Sequence, residues 1–230
     1  MKDINIIFDA DDTLWENQLI FNKFTAFFEK ILEDNHINKK EALERLLFHD
    51  QESYKRNEFG NVYYCQSMKK TLKEFGKADD KILNTVQKKH DELFNRPPEV
   101  FSGVKDTLIY LKEKGFNLYL MTKGYYPVQM KKVEESNLED LFISIIITTR
   151  KDKEIYENIC RKYKFVKENT YMVGNSPKSD IIPAAETGMN AIYIPSKSLW
   201  ELEHSEISQD LSNIYTLTDF NKLKEFFDGL

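Results

Sequence analysis

INIIFDADDTL, Ile4 to Leu14, changes character between two neighbouring residues. Ile4 to Phe8 is short, apolar and rich in β-branched side chains, which predicts a buried strand. Asp9 to Thr13 follows at once as a polar cluster with Asp9, Asp11 and Asp12. In an open parallel sheet, the loops at the carboxyl ends of the strands build the crevice where ligands bind. A strand that ends in carboxylates is therefore a candidate wall of such a crevice.

From about Glu16 to Asn95 the texture is helical and charged. Phe21, Phe24, Phe28 and Ile31 recur at near-helical spacing, as do Ala42, Leu43, Leu46 and Leu47. Gly60 and Gly76 are the only glycines there, and no proline occurs until Pro97-Pro98. About four helices forming a compact unit are expected, with 56–64 (RNEFGNVYY) as a substrate-facing loop within it. After Pro98 helices and strands alternate. Helices are predicted over 104–114, 127–136, 153–163, 179–187 and 219–227. Strands are predicted over 117–121, 144–147, 170–173 and 191–194. Strands alternating with helices imply a parallel sheet with right-handed crossovers. The expected fold is α/β: a Rossmann-like parallel-sheet core from residues 1–15 and 97–230, with an all-helical domain, 16–96, inserted.

Charge and composition narrow the function. The 230 residues hold 33 Lys+Arg against 38 Asp+Glu, a formal net charge of −5. That balance offers no electrostatic reason to bind a nucleic acid polymer or an anionic membrane. No apolar run approaches the roughly 18–20 residues that span a bilayer, and no basic segment precedes a long apolar one, so no secretory leader is expected. Cys65 and Cys160 lack metal-type spacing and are expected to be reduced and buried in a cytoplasmic protein. His36, His49, His90 and His204 are scattered and form no HExxH pair.

The residues that follow the other core strands complete the set. They are Thr122-Lys123-Gly124, then Thr148-Thr149-Arg150-Lys151, then Gly174-Asn175-Ser176-Pro177-Lys178-Ser179-Asp180. Carboxylates, hydroxyls, a lysine and a glycine-containing polar turn on one rim suit phosphoryl transfer from a monoester, which needs a nucleophile, a proton donor and charge neutralisation. An Asp is ionised at neutral pH and can attack without a base to activate it. Its repulsion from a dianionic phosphate is relieved by a hard cation such as Mg²⁺, which takes oxygen ligands. Thr122 and the Gly124 backbone are candidate donors to phosphate oxygens. Lys123 belongs to the same phosphate-binding turn, as a solvated group or one facing the helical insert rather than a catalytic one.

These residues resemble the haloacid dehalogenase-like superfamily. DADDTLW is similar to its first signature, DxDxT after an apolar strand, and MTKG to its second. RKDKEIY resembles the third, a lysine at the start of a helix, and VGNSPKSD the fourth, an acidic pair. All four stand in the family order, and the helical insert resembles the family's helical cap. The resemblance implies that Asp9 is the nucleophile that forms an aspartyl-phosphate. Asp11 would protonate the leaving alcohol and then deprotonate the attacking water. Thr122 would bind phosphate, and the third-motif lysine would neutralise charge. Arg150, Lys151 and Lys153 all lie in that window; Lys151 is favoured, with Lys153 second. Mg²⁺ would sit on the Asp9 carboxylate, the Asp11 backbone carbonyl and Asp180. Asn175 departs from the pattern, replacing an acid by an amide that can still accept from metal-bound water, so weaker Mg²⁺ binding is implied.

The resemblance also implies that Asp11 favours a phosphatase or phosphomutase, because dehalogenases of this type lack an acid there. The expected function is hydrolysis of a small phosphorylated metabolite. A phosphomutase or dehalogenase on the same scaffold, or a non-catalytic binding protein, are the alternatives. Asp12 is read as a cap or a solvated acid, and Thr13 as holding Asp9. Tyr125 and Tyr126 are candidates for lining the leaving-group pocket. Leu199-Trp200-Glu201 belongs to a further stretch that resembles poorly characterised members.

Overall fold

The computed structural model describes residues 3–58, 60–196, 203–208 and 210–230. The chain divides into two compact units, Met1–Gln18 with Pro98–Leu230, and Leu19–Pro97.

The first unit is built on strands β1 (Asn5–Phe8), β2 (Asn117–Lys123), β3 (Ser144–Thr148), β4 (Thr170–Gly174), β5 (Asn190–Tyr193) and β6 (Ile214–Thr216). Among the described residues they form one sheet in the order β3-β2-β1-β4-β5-β6, with every pair parallel. Strand order reverses beside β1: the chain runs outward through β2 and β3, then returns to place β4 on the other side. That switch point opens a crevice at the carboxyl ends of β1 and β4, where residues 9–13 and 175–180 emerge.

Side chains alternate across the strands, so each face takes its own core. Ile6 and Phe8 pack with Leu118, Leu120 and Val173 against α5 (Val104–Glu113), α6 (Tyr126–Ser136) and α9 (Lys222–Asp228). Ile7 packs with Tyr119, Met121 and Met172 against α7 (Lys153–Tyr163) and α8 (Ile182–Thr187). Burial on both faces explains why these strands read as unbroken apolar runs. Cys65 and Cys160 are free and buried.

Three expectations need correction. Strand β2 extends through Thr122 and Lys123, which pair with Ile147 and Thr148 of β3, so both stand in the sheet rather than beyond it. The helix expected over 179–187 is a π-type turn, Pro177–Ile181, followed by α8. Pro183 has no N–H to offer the Ser179 carbonyl four residues back. That carbonyl instead accepts a 3.0 Å bond from the Tyr156 hydroxyl. Strand β6 was not expected: it has three residues, lies at the sheet edge and is largely exposed, so it carries no apolar alternation to read.

The second unit holds most of α1 (Gln18–Asp34), α2 (Lys39–Lys55), α3 (Asn61–Glu74) and α4 (Asp80–Phe94). Its core gathers Phe24, Phe28, Leu32, Leu46, Met68, Leu72 and Val86, the helical-period residues of the sequence. Asn38 and Asp79 cap α2 and α4, accepting from the Glu41 and Ile82 amides. The loop expected over 56–64 is shorter, because Asn61 to Tyr64 form the first turn of α3; Phe59 of that stretch lies outside the described residues. Leu199-Trp200-Glu201 also lies outside them.

Phe28 is fully buried in this helical core. Phe28→Ala should cost about 3–5 kcal/mol, read by urea denaturation, whereas Lys30→Ala on the exposed face of the same helix should stay within about 0.5 kcal/mol. Equal stability of the two variants would contradict the packing described.

Candidate active site

Three strand ends meet at one ammonium. Lys151, between β3 and α7, is buried, and its Nζ bonds Asp9 Oδ1 after β1 and Asp180 Oδ1 after β4, the latter at 2.8 Å. Arg150 is exposed and pairs with Asp152 and Glu154, while Lys153 lies exposed in α7. The geometry therefore singles out Lys151 from that window.

The turn after β1 fixes Asp9. Its amide still pairs with the Val173 carbonyl at 2.9 Å, and the Leu14 amide closes a turn on the Ala10 carbonyl at 2.8 Å. This fold-back brings Thr13 Oγ1 to 2.9 Å from Asp9 Oδ2 and 3.2 Å from Asn175 Oδ1. Both Asp9 oxygens are thus engaged. Asp180 is held on its other oxygen by the Ser176 amide at 3.0 Å, and it lies against the bare Cα of Gly174, where any Cβ would collide with its carboxylate.

Burial, with Asp180 second, pushes the Asp9 carboxyl up to about 7, against the pull of Lys151. Burial also works to discharge Lys151, but Asp180 and Asp9 outweigh it and keep its pKa above the ordinary lysine range. Two buried carboxylates that share one lysine leave the site short of positive charge. The available donors are the Asp9 and Asp180 carboxylates, the Asn175 amide oxygen and the Asp11 carbonyl. Among the described residues no trio of His, Cys, Asp or Glu side chains gathers to hold a metal ion. Two carboxylates with neutral oxygen donors suit a hard divalent cation that keeps several waters, and do not suit zinc.

Asp11 has a separate set of partners. Trp15 Nε1 donates to it at 2.7 Å, Gln129 Nε2 at 3.0 Å, and Lys132 Nζ reaches both oxygens at 2.9 and 3.0 Å. Burial works to raise this carboxyl, but Lys132, with Gln129 and Trp15 as further donors, wins and holds it below the usual carboxylate range. Gln129 and Lys132 both come from α6, and the sequence reading named neither. Their signal was present, since they lie three residues apart on one helix face just after MTKG. Nothing in the sequence pointed that face at Asp11.

The second-motif turn differs from expectation. Thr122 is buried, and its hydroxyl oxygen accepts from Gln129 Nε2 at 2.6 Å. The Gly124 N–H was expected to bind phosphate, but it is committed to the Thr148 carbonyl at 2.9 Å because the β2–β3 pairing continues one residue past the strand. Lys123 is neither solvated nor open: its ammonium pairs with buried Glu203 and lies 3.2 Å from Ser179 Oγ. Glu203 also accepts from Ser176 and Ser179; burial would raise it, but Lys123 and these hydroxyls hold it low. Tyr125 and Tyr126 are exposed.

Comparison with known proteins gives the family and the fold. The chain matches the model of the haloacid dehalogenase-like hydrolase family over residues 5–188. It is 25% identical to glyceraldehyde 3-phosphate phosphatase of Methanothermobacter thermautotrophicus, covering 96% of this chain and 97% of that one. Its fold matches a haloacid dehalogenase-like family hydrolase from Xanthomonas campestris with a TM-score of 0.85 at 24% identity, over 100% of this chain and 96% of that one. It also matches the HAD-hydrolase YfnB of Bacillus subtilis, solved bound to magnesium, with a TM-score of 0.67 at 19% identity over 99% and 100%.

Asp12 stands apart from this chemistry. It adopts φ 61°, and its Oδ1 accepts from the Asn17 and Gln18 amides at 2.9 and 2.8 Å, where α1 begins. Burial raises its carboxyl to about 7. The folded state therefore keeps this proton between about pH 4 and 7 while the unfolded chain gives it up, so the contribution of Asp12 to stability falls as pH rises through that window. Asn keeps the acceptor and tolerates positive φ. Asp12→Asn should gain on the wild type by on the order of 1–2 kcal/mol between pH 4 and pH 7, allowing for partial exposure. Denaturation at both pH values checks this, and an unchanged difference would contradict the raised carboxyl.

Proposed function

The chain belongs to the haloacid dehalogenase-like hydrolases, and from that footing we propose that it is a Mg²⁺-dependent phosphatase acting on a small phosphorylated metabolite through an aspartyl-phosphate on Asp9. The supporting observation is the shared contact of Lys151 with Asp9 and Asp180. It gathers a nucleophile, a counter-charge and a second carboxylate at the switch point of the sheet. The helical unit, residues 19–97, is read as the family's inserted cap. The similar Methanothermobacter thermautotrophicus protein named for glyceraldehyde 3-phosphate favours a substrate of that size class.

In this reading Asp9 attacks phosphorus while Asp11 gives a proton to the leaving oxygen. The Asp11 carboxylate then takes a proton from the water that hydrolyses the acyl phosphate, and inorganic phosphate leaves. Thr13 and Lys151 fix the plane of Asp9 before attack, so little reorganisation remains for the transition state. Asp11 rests as a carboxylate, ready for its second task. For its first task, the approach of a phosphate dianion raises its pKa by like-charge repulsion. In the resting site the nucleophile is pushed up and the acid held down; a cation on Asp9 and a phosphate beside Asp11 would shift each the way its role requires. Asp9, Asp180, Asn175 and the Asp11 carbonyl would hold Mg²⁺, whose charge relieves the repulsion between Asp9 and phosphate.

Asp9→Asn should reduce phosphate release from p-nitrophenyl phosphate on the order of 10³-fold or more without loss of fold, and chelation of divalent cations should silence the wild type. Near-normal hydrolysis by Asp9→Asn would exclude the covalent route; halide release from a 2-haloacid, or an isomerised phosphate ester, would point to a dehalogenase or mutase instead. Asp11→Asn should be more damaging with alkyl phosphates than with nitrophenyl phosphate, because a poor leaving group depends on the acid. Equal losses on the two substrates would remove Asp11 from that role.

A further inference from the structure

Gln129 sits where the two halves of the proposed chemistry meet. It lies in the first turns of α6 and is 3% exposed. Its Nε2 is 2.6 Å from Thr122 Oγ1, 3.0 Å from Asp11 Oδ2 and 3.2 Å from the Lys123 carbonyl oxygen. A carboxylate and a backbone carbonyl can only accept, so the amide atom that faces them is the NH₂. Two N–H protons are shared among three acceptors. Thr122 is thereby cast as acceptor towards Gln129, which leaves its own O–H proton free to donate elsewhere.

Room for this side chain is built into the turn. A Cβ at Gly124 would lie 2.6 Å from Gln129 Cγ and 2.9 Å from its Cδ. No flexible end could move aside there, because the Gln129 amide is pinned on three sides. Glycine at 124 therefore serves the passage of Gln129, while its N–H is used by the Thr148 carbonyl.

We infer that Gln129 is a positioning residue that turns the Thr122 hydroxyl proton towards the phosphate and ties it to the carboxylate of Asp11. The inference rests on the phosphatase reading and extends it to a residue that touches neither phosphorus nor the leaving group. The polarity of the contact carries the idea. A donor at 129 forces Thr122 to present its proton outward; an acceptor at 129 would capture that proton and repel Asp11.

The test compares wild type, Gln129→Met, Gln129→Glu, Thr122→Val and the double variant Thr122→Val/Gln129→Met. Inorganic phosphate binding is measured by calorimetry with millimolar Mg²⁺, alongside nitrophenyl and alkyl phosphate turnover and thermal denaturation. Gln129→Met should weaken phosphate about tenfold, and Gln129→Glu more, on the order of a hundredfold. Adding Gln129→Met to Thr122→Val should weaken phosphate no further, since the hydroxyl it orients is gone. A purely structural role would move the melting temperature and leave this non-additivity absent. Losses that multiply in the double variant, or phosphate affinity unchanged in Gln129→Glu, overturn the inference. Should Gln129→Met fail to fold, the equally sized Glu variant decides alone. Wild type that neither binds phosphate nor hydrolyses a monoester brings down the phosphatase reading itself; wild type that does both, with indifferent Gln129 variants, brings down only the role of Gln129.

Discussion

A single buried ammonium holds this site together. Asp9 and Asp180 come from loops after adjacent central strands and would repel each other in a dry crevice. Lys151 reaches both. Removing the lysine would leave both buried carboxylates uncompensated, a loss that typically costs ~3–5 kcal/mol. The arrangement thus constrains three loops at once: the turn after β1, the turn after β4 and the segment between β3 and α7. Its charge is also unbalanced, two carboxylates against one lysine, and Asp180 adds to the burial that pushes the Asp9 carboxyl up.

The second cation–carboxylate pair, Lys132 with Asp11, is of a different kind. There one lysine meets one acid, helped by Trp15 and Gln129, and the carboxyl is held down rather than pushed up. Two aspartates separated by one residue thus live in opposite electrostatic surroundings. The difference comes from which elements face them: β3–α7 and the β4 turn for Asp9, and α6 for Asp11. Sorting by neighbour rather than by residue type gives one short turn two carboxyls of opposite electrostatic character.

Away from the acids, the structure repairs what its own sequence breaks. Pro183 orphans a carbonyl, and the fully buried Tyr156 supplies the missing donor. The Tyr156 hydroxyl stays protonated because burial, and then Asp180 and Asp9, drive its pKa upward, which suits a donor. Lys123 and Glu203 likewise satisfy each other beside Ser176 and Ser179, so an acid from the segment after β5 is tied to the end of β2. These contacts brace the β4 turn that presents Asp180.

The chain's order of apolar runs, turn residues and charged helical stretches was enough to read a parallel α/β core interrupted by helices, because burial on both faces of a sheet leaves continuous apolar strands and amphipathic helices leave a 3.6-residue period. The acids after β1 and the polar turn after β4 were legible for the same reason: strand ends are visible, and a parallel sheet sends them all to one rim. Which of Arg150, Lys151 and Lys153 points inward was not legible, since a run of charges looks the same whichever member is buried. Nor was the commitment of the Gly124 N–H to Thr148, the pairing of Lys123 with Glu203, or the convergence of Gln129 and Lys132 on Asp11. Those depend on side-chain direction and on contacts between segments up to about 120 residues apart. Local sequence sets the period and the breaks of each element; only packing in three dimensions selects which polar group meets which.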